Sequence, residues 1–336
     1  MVQFSPLNYY HLDPSITSVF RRRAITFSFF QTQEVAMERA LVRSRKLAQL
    51  DGPVLIVGEP GSGKSLLAQA IHNDSPRTAK PLRVLGPGDV GLSDLRNWIF
   101  GTDGTPGLLE QADGGSLVLD ELQEWPEEVQ LLFAQYLDTG EFPAMVAPNT
   151  LAPDVRLIAT VSSVTTAQAQ IPAGIAPGLY QRLRSGEVAL PPLAARSRDL
   201  PELADDFLSR FASRQGQAPA ELSRAALEAM RARRWYGNLR ELDQAMRAAT
   251  LSVGSGGRIG PEDLPPPLEP LIAERHLPYR LDELERWAYA RALRVTSGNR
   301  RQSIQLLGTS PATFYRKARS FGLIGGDEPA DAQRPT

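Results

Sequence analysis

The chain has 336 residues, 42% hydrophobic and 22% charged, with a formal net charge of −1. That is the composition of an ordinary water-soluble protein of two or three domains with room for a sizeable core. It has no cysteine and three histidines, which excludes disulfides and thiolate metal sites and leaves little from which to build a zinc site.

No run of about 18 apolar residues occurs, so neither a membrane span nor a membrane partner is expected. Arg21-Arg22-Arg23 is followed only by the short apolar run Ala24 to Phe30 with no small-residue cleavage site, so a signal peptide is not expected and the cytoplasm is the predicted location. Residues 1–30 form an N-terminal arm carrying Tyr9, Tyr10, Phe20, Phe27, Phe29 and Phe30. From Gln31 to Leu50 a helical pattern runs through Met37, Ala40, Leu41 and Ala48.

Pro53-Val54-Leu55-Ile56-Val57 reads as a buried parallel strand. It enters Gly58-Glu59-Pro60-Gly61-Ser62-Gly63-Lys64-Ser65, which satisfies G-x-x-x-x-G-K-[ST], and Leu66 to Ile71 follows as a helix. Strand, glycine loop and helix together define a phosphate-binding loop. Its backbone N–H groups curl around phosphate oxygens and the helix N-terminus adds partial positive charge. Lys64 is expected to reach the β- and γ-phosphates of ATP, and the Ser65 hydroxyl to hold Mg²⁺. Lys64 is also one of only four lysines, against thirty-three arginines.

Leu82 to Leu85 predicts a second strand, and Leu92 to Phe100 a helix with Leu95, Trp98 and Ile99 inward. Ser116-Leu117-Val118-Leu119-Asp120-Glu121 is a strand ending in an acidic pair, the Walker B arrangement. Asp120 would hold Mg²⁺, directly or through water, and Glu121 would polarise the attacking water as general base. Trp125 to Thr139 predicts a helix, Val155 to Val161 a strand and Gly186 to Leu190 a fifth strand. Strands alternating with helices give a parallel sheet covered on both faces, an α/β fold.

Leu200–Gln215, Pro219–Arg231 and Asn238–Val253 read as three helices of a lid. Residues 264–280, beginning Leu264-Pro265-Pro266-Pro267-Leu268-Glu269-Pro270, read as a stiff linker. From Leu281 to Leu323 the pattern is all helical, with Leu281, Leu284, Ala288 and Ala292 on one face of the first helix. This stretch holds eight Lys/Arg against three acids, a local +5 compatible with a solvated face or with nucleic acid. Arg301–Leu307, the turn Gly308-Thr309-Ser310 and Pro311–Phe321 have the spacing of a helix-turn-helix, with Ser310 as cap and Pro311 first in its helix. Arg300, Arg301, Ser310, Thr313, Arg316 and Lys317 are the candidate contacts to double-stranded DNA.

Taken together the motifs resemble the AAA+ activators of sigma-54 RNA polymerase, the NtrC family, over Gln31 to about Leu268, with a Fis-type helix-turn-helix at 281–325. Besides the Walker elements, Leu109 to Gly115 runs into Walker B as in that family. Trp235-Tyr236-Gly237-Asn238-Leu239-Arg240-Glu241-Leu242 resembles its sensor II, and Ser297 to Arg300 with Leu307-Gly308 resembles the Fis terminus. The resemblance implies an α/β ATPase subdomain at 31–195, a helical lid at 196–263 and a short tail at 326–336. It also implies a homo-oligomer, from dimer to hexamer, with ATP between neighbours. Arg240 would sense the γ-phosphate, and Arg182 would be a finger reaching the adjoining protomer's site. RNA polymerase holoenzyme is the implied partner.

Departures from the family pattern are informative. After Phe100-Gly101, the stretch Thr102 to Leu108 is too short for the GAFTGA loop that touches sigma-54. The first of two usual arginines near the finger falls at Ala176, the Asn that couples Walker B falls near Gly86, and the sensor I polar residue falls near Val161 or Ser162. No receiver or other sensory domain is expected ahead of the core. Three functions follow as alternatives: an ATP-assembled DNA-binding regulator that does not remodel sigma-54, a sigma-54 activator using another contact, or a DNA-binding scaffold with a degenerate core.

Overall fold

The computed structural model describes residues 25–86, 95–102, 105–142, 153–162, 171–268 and, within 285–324, all but 287, 291, 294, 295 and 297. The chain divides into two units, 1–268 and 269–336. Among the described residues no helix is long and apolar enough to cross a membrane.

In the first unit, strand β1 (Val54–Gly58) is buried along its whole length. It lies inside a five-stranded parallel sheet of order β2-β5-β6-β1-β7, where β2 is Leu82–Leu85, β5 Ser116–Leu119, β6 Arg156–Ser162 and β7 Glu187–Ala189. The registers include Val54↔Ile158 on one side and Leu55↔Glu187 on the other. Successive residues of a strand point to opposite faces, so β1 feeds two cores. Leu55 and Val57, with Leu117, Leu119 and Leu157, pack with Phe133 and Leu179. Val54 and Ile56, with Val118 and Ile158, pack under helices α1 (Val35–Ala48) and α2 (Lys64–Asn73) through Met37, Leu41, Leu67 and Ile71. Each such fully buried Leu or Ile stabilises by about 1.5–3 kcal/mol.

The predicted second strand falls as read, whereas the helix expected from Leu92 is described as α3 (Leu95–Phe100), residues 92–94 lying outside the described set. Its inward pair is Ile99 and Phe100; Trp98 is 39% exposed, contrary to the expected inward placement. Next comes a tight antiparallel hairpin of β3 (Gly101–Thr102) and β4 (Thr105–Pro106), in register Thr102↔Thr105 and so closed by two residues. Gly101 has φ +83°, and a Cβ there would stand 2.6 Å from Thr105 O, so only glycine fits. The short helix α4 (Leu108–Gln111) leads into β5.

The helix predicted from Trp125 starts later, as α5 (Glu127–Thr139), after a 3₁₀ turn at Leu122–Glu124. Pro126 disfavours helical geometry in the residue before it, and Trp125 is extended at ψ 146°. Helix α6 (Pro177–Leu183) precedes β7. Arg156, the first residue of β6, is 3% exposed and forms no ion pair with a carboxylate among the described residues. Its guanidinium donates to Leu47 O (2.6 Å), Ala48 O (3.2 Å) and Gly52 O (3.2 Å), placing its charge at the negative end of α1 and on the turn beyond it.

Part of the expected N-terminal arm belongs to this body. Ile25 and Phe27 are buried, Phe27 N donates to Asp74 Oδ2 (2.6 Å), and Thr32 Oγ1 and Gln33 N donate to Asp199. The lid contains α7 (Leu200–Gln215), α8 (Arg224–Arg231) and α9 (Asn238–Val253) around Leu208, Met230, Trp235 and Met246. The helix expected from Pro219 begins at Arg224 because β8 (Glu221–Leu222) pairs with β9 (Arg258–Ile259), and Ser223 caps α8 by accepting from Ala226 N. The chain stays bonded to the lid through Leu268: Arg233 Nη1 donates to Pro265 O (2.7 Å) and Leu268 N to Glu241 Oε1 (3.1 Å).

In the second unit, residues 285–286, 288–290 and 292–293 are helical. Helix α10 (Arg300–Leu307) ends at Gly308, φ +60°, and α11 (Pro311–Ser320) starts from Ser310, whose hydroxyl accepts from Thr313 N. Tyr289 stacks on Phe314 at 5.5 Å, with Ala318 buried beside them. Residues 1–24, the linker beyond Leu268, Leu281, Leu284 and the tail lie outside the described residues.

Candidate nucleotide-binding site

Strand β1 ends at the sheet's C-terminal edge and hands the chain to the phosphate loop, 58–65. Gly61 (φ +74°) and Gly63 (φ +102°) adopt left-handed geometry that side chains resist. A Cβ on Gly61 would lie 2.3 Å from Gly237 O, so the lid backbone rests directly on the loop. Helix α2 begins at Lys64, and its first-turn amides lack acceptors within the helix.

Lys64 is 4% exposed. Its Nζ reaches Gly58 O and Glu59 O (3.3 Å each), Ser162 Oγ (2.8 Å) and Glu121 Oε1 (3.2 Å). Ser65 Oγ donates to Asp120 Oδ1 (3.1 Å), which also accepts from Thr160 Oγ1 (2.7 Å). The two predicted metal-holding residues are therefore side by side. Glu121 has φ +49°; Thr160 Oγ1 accepts its N–H, while Ser162 Oγ and Gln123 Nε2 donate to its carboxylate. Burial pushes that carboxyl up, but the Lys64 charge and the hydrogen bonds from Ser162, Gln123 and Lys64 outweigh it. Glu121 is held below the usual carboxylate range, ionised as a general base must be.

Of the two positions suggested for sensor I, Ser162 is the one that faces the site, while Val161 is buried in the core. Arg240 is exposed, and its Cβ lies 3.3 Å from where a Gly61 Cβ would stand, which puts it at the loop's rim. Arg182 lies on α6 in an ion pair with Asp138. Ala176, at the position of the missing arginine, is buried and donates its N–H to Gln130 Oε1. In the second unit Arg301, Ser310 and Arg316 are exposed and Arg300 and Thr313 half-buried, while the Lys317 ammonium pairs with Glu285.

Three residues here were not singled out from sequence as site residues: Asn238, Thr160 and Gln123. Asn238 is fully buried with φ +52°. Its amide nitrogen donates to Pro60 O (2.9 Å) and Glu59 Oε2 (3.2 Å), and its oxygen accepts from Leu193 N (2.7 Å). The Gly-Asn pair within the sensor II stretch was the available signal. Ser62 Oγ is buried with no hydrogen-bond partner among the described residues. A hydroxyl without a partner, a glycine cradle, a buried ammonium, and a serine beside an aspartate form a donor set that fits a nucleotide polyphosphate with Mg²⁺.

Comparison with known proteins agrees. Residues 30–189 match the Sigma-54 interaction domain, and residues 194–277 match an AAA+ ATPase lid domain. The alginate biosynthesis transcriptional regulatory protein AlgB of Pseudomonas aeruginosa is 32% identical over 323 residues, covering 87% of this chain and 67% of AlgB. The regulatory protein AtoC of Escherichia coli is 30% identical over 321 residues, 89% of this chain and 68% of AtoC. The HTH-type transcriptional regulatory protein TyrR of Salmonella typhimurium is 30% identical over 308 residues, 88% of this chain but only 59% of TyrR. Among solved structures, NtrX from Brucella abortus in complex with ATP matches with a TM-score of 0.64 at 26% identity, over 91% of this chain and 72% of NtrX. RuvB of Thermotoga maritima (K64R) shares the fold at a TM-score of 0.51 and 18% identity, over 90% of each chain. The chain belongs to the sigma-54 interaction domain family of AAA+ transcriptional regulators. Its first unit is an AAA+ ATPase core, an α/β sheet with a helical lid.

Proposed function

We propose that this protein is an ATP-binding, sequence-specific DNA-binding transcriptional regulator whose AAA+ core assembles protomers under ATP control without remodelling sigma-54. One observation carries the reading: Lys64 lies against Glu121 and Ser65 against Asp120, while Thr102 and Thr105 pair in a hairpin, where the resemblance puts the GAFTGA loop.

ATP supplies a transferable γ-phosphoryl group, and Mg²⁺ neutralises charge around it. The backbone of Gly58, Glu59, Pro60, Gly61, Ser62 and Gly63 cradles the phosphates and Lys64 binds them, while Ser65 and Asp120 hold the metal. Glu121 orients and deprotonates the attacking water. Arg240 senses the phosphates at the rim, and Arg182 leaves its exposed Asp138 pair to reach the neighbouring protomer's site, an exchange that is cheap because surface ion pairs are weak. In the second unit Arg300, Arg301, Ser310, Thr313 and Arg316 meet double-stranded DNA. Lys317 joins them when it gives up Glu285. TyrR, a relative called HTH-type, supports the DNA-binding role.

A second reading, a sigma-54 activator coupling ATP hydrolysis to promoter opening, is favoured by the Sigma-54 interaction domain match itself. Two assays decide. Steady-state ATP turnover per protomer should rise with protein concentration and vanish in Glu121→Gln and Arg182→Ala. ATP-dependent DNA retention should then occur without opening of a sigma-54 promoter. Opening would establish the second reading, and bound nucleotide with no turnover would leave a DNA-binding scaffold.

A further inference from the structure

We propose that Glu241 is a positioning residue that fastens the chain leaving the ATPase body to the phosphate loop, so that nucleotide binding controls how firmly residues 265–268 are held. The inference rests on the nucleotide-binding reading above and adds an output for it.

The connection is short and made of backbone. Glu241 is 5% exposed. Its Oε2 accepts from Gly237 N (2.9 Å), and its Oε1 accepts from Leu268 N (3.1 Å). Gly237 is pressed from both sides. Its carbonyl oxygen is 2.3 Å from where a Gly61 Cβ would stand, and Leu268 Cδ1 is 3.2 Å from where its own Cβ would stand. The two residues after Gly237 bond to the loop as well, Asn238 Nδ2 to Pro60 O and Leu239 N to Gly61 O (3.0 Å). A displacement of the loop at Gly61 therefore reaches Gly237 directly, and Glu241 carries it to Leu268.

The hydrogen bond, with that of Arg233 to Pro265 O, is what holds this segment. The Leu268 side chain remains 49% exposed, so its apolar burial supplies little. A buried carboxylate that loses an N–H partner has to find another or reach water. Attachment is thus two-state, engaged or released, as a switchable element requires. Once ATP fixes the loop, the engaged state is favoured by the contacts that Asn238 and Leu239 already make.

The sequence provides its own probe. Pro265, Pro266 and Pro267 have no N–H, so Leu268 is the one backbone amide in the peptide 265–268 that exchanges with solvent. The experiment is hydrogen exchange of the full chain, with and without Mg²⁺ and a non-hydrolysable ATP analogue, occupancy being measured by calorimetry on the same sample. Bound analogue should slow the Leu268 amide by about tenfold or more. In Glu241→Gln the amide should exchange about tenfold faster than in wild type and ignore the analogue, while analogue affinity falls by no more than the same factor of about ten. Gly61→Ala, which pushes Gly237 without any nucleotide, should speed the same amide in the ligand-free chain. That arm separates failure of the coupling from failure of nucleotide binding. An unchanged Leu268 rate at full occupancy would overturn the proposal. So would a Glu241→Gln protein that keeps the wild-type response, and that variant remains decisive if Gly61→Ala does not fold.

Discussion

Replacing Asn238 by alanine should damage both the stability of the ATPase body and its hold on nucleotide. The side chain is fully buried and satisfies Leu193 N and Pro60 O, two groups from segments far apart in sequence. Removing it leaves the buried Leu193 N–H unmatched, at about 1–3 kcal/mol, and strips Pro60 O, on an exposed loop residue that water can reach, of its lid partner. The φ of +52° adds about 1–2 kcal/mol for alanine, which has no side-chain bond to offset left-handed geometry. The expected loss is about 2–5 kcal/mol, a fall of roughly 4–20 °C in the midpoint of a body this size. Asn238→Gly removes the same bonds without the backbone strain and should still lose about 1 kcal/mol or more. Calorimetry would follow the body's transition, and nucleotide titration would show weakened affinity as the loop loses its bond at Pro60. Either variant melting within about 1 kcal/mol of wild type would refute the reasoning, because the amide would then not be satisfying those groups.

His72 supplies a pH prediction. Burial, helped by the Arg156 and Arg77 charges and opposed by a backbone bond with Lys80, lowers its pKa from 6.5 to about 4. The unfolded chain therefore binds the proton first. The stability tied to neutral His72 is complete above about pH 6.5 and is lost as pH falls towards 4, up to about 3 kcal/mol. His72→Gln should flatten that part of the acid limb in denaturant titrations, and an unchanged slope would assign the loss to other groups. Ser162→Ala removes the hydroxyl shared by Lys64 and Glu121 and should lower kcat about tenfold with little change in KM; a loss confined to KM would make Ser162 a binding residue. Arg316→Ala should weaken operator binding and reduce the salt slope by about one, leaving nucleotide affinity intact. Unaltered operator affinity would remove α11 from the recognition role.

What could be read in the sequence was what is encoded locally. The phosphate loop is a single continuous motif, and α7 and α9 have the predicted ends because apolar period, glycine stops and helix length agree within one segment. Contacts across long separations stayed hidden. Helix α8 starts five residues late because Glu221 and Leu222 pair with residues some forty positions away, which no local pattern announces. Trp98 looked like an inward residue by spacing, but α3 turns Ile99 and Phe100 to the core. At the site, Lys64, Ser65, Asp120 and Glu121 came from motifs, whereas Asn238 and Ser162 acquire their roles from geometry. One depends on a left-handed backbone in the lid, the other on strand β6 lying between β1 and β5.

The Arg156 guanidinium constrains how the body can be assembled in time. It is always charged, and in the folded core its partners are the carbonyls at and beyond the end of α1, 104 to 109 residues earlier in the chain. Helix α1 therefore leaves the ribosome long before Arg156, and burying that charge in the sheet is costly until those carbonyls are in place to receive it. Docking of the first helix and of the central strand is therefore coupled through a contact of long sequence separation. Chains truncated before residue 156 should retain an undocked α1, and substitutions at Arg156 should slow folding more than they speed unfolding.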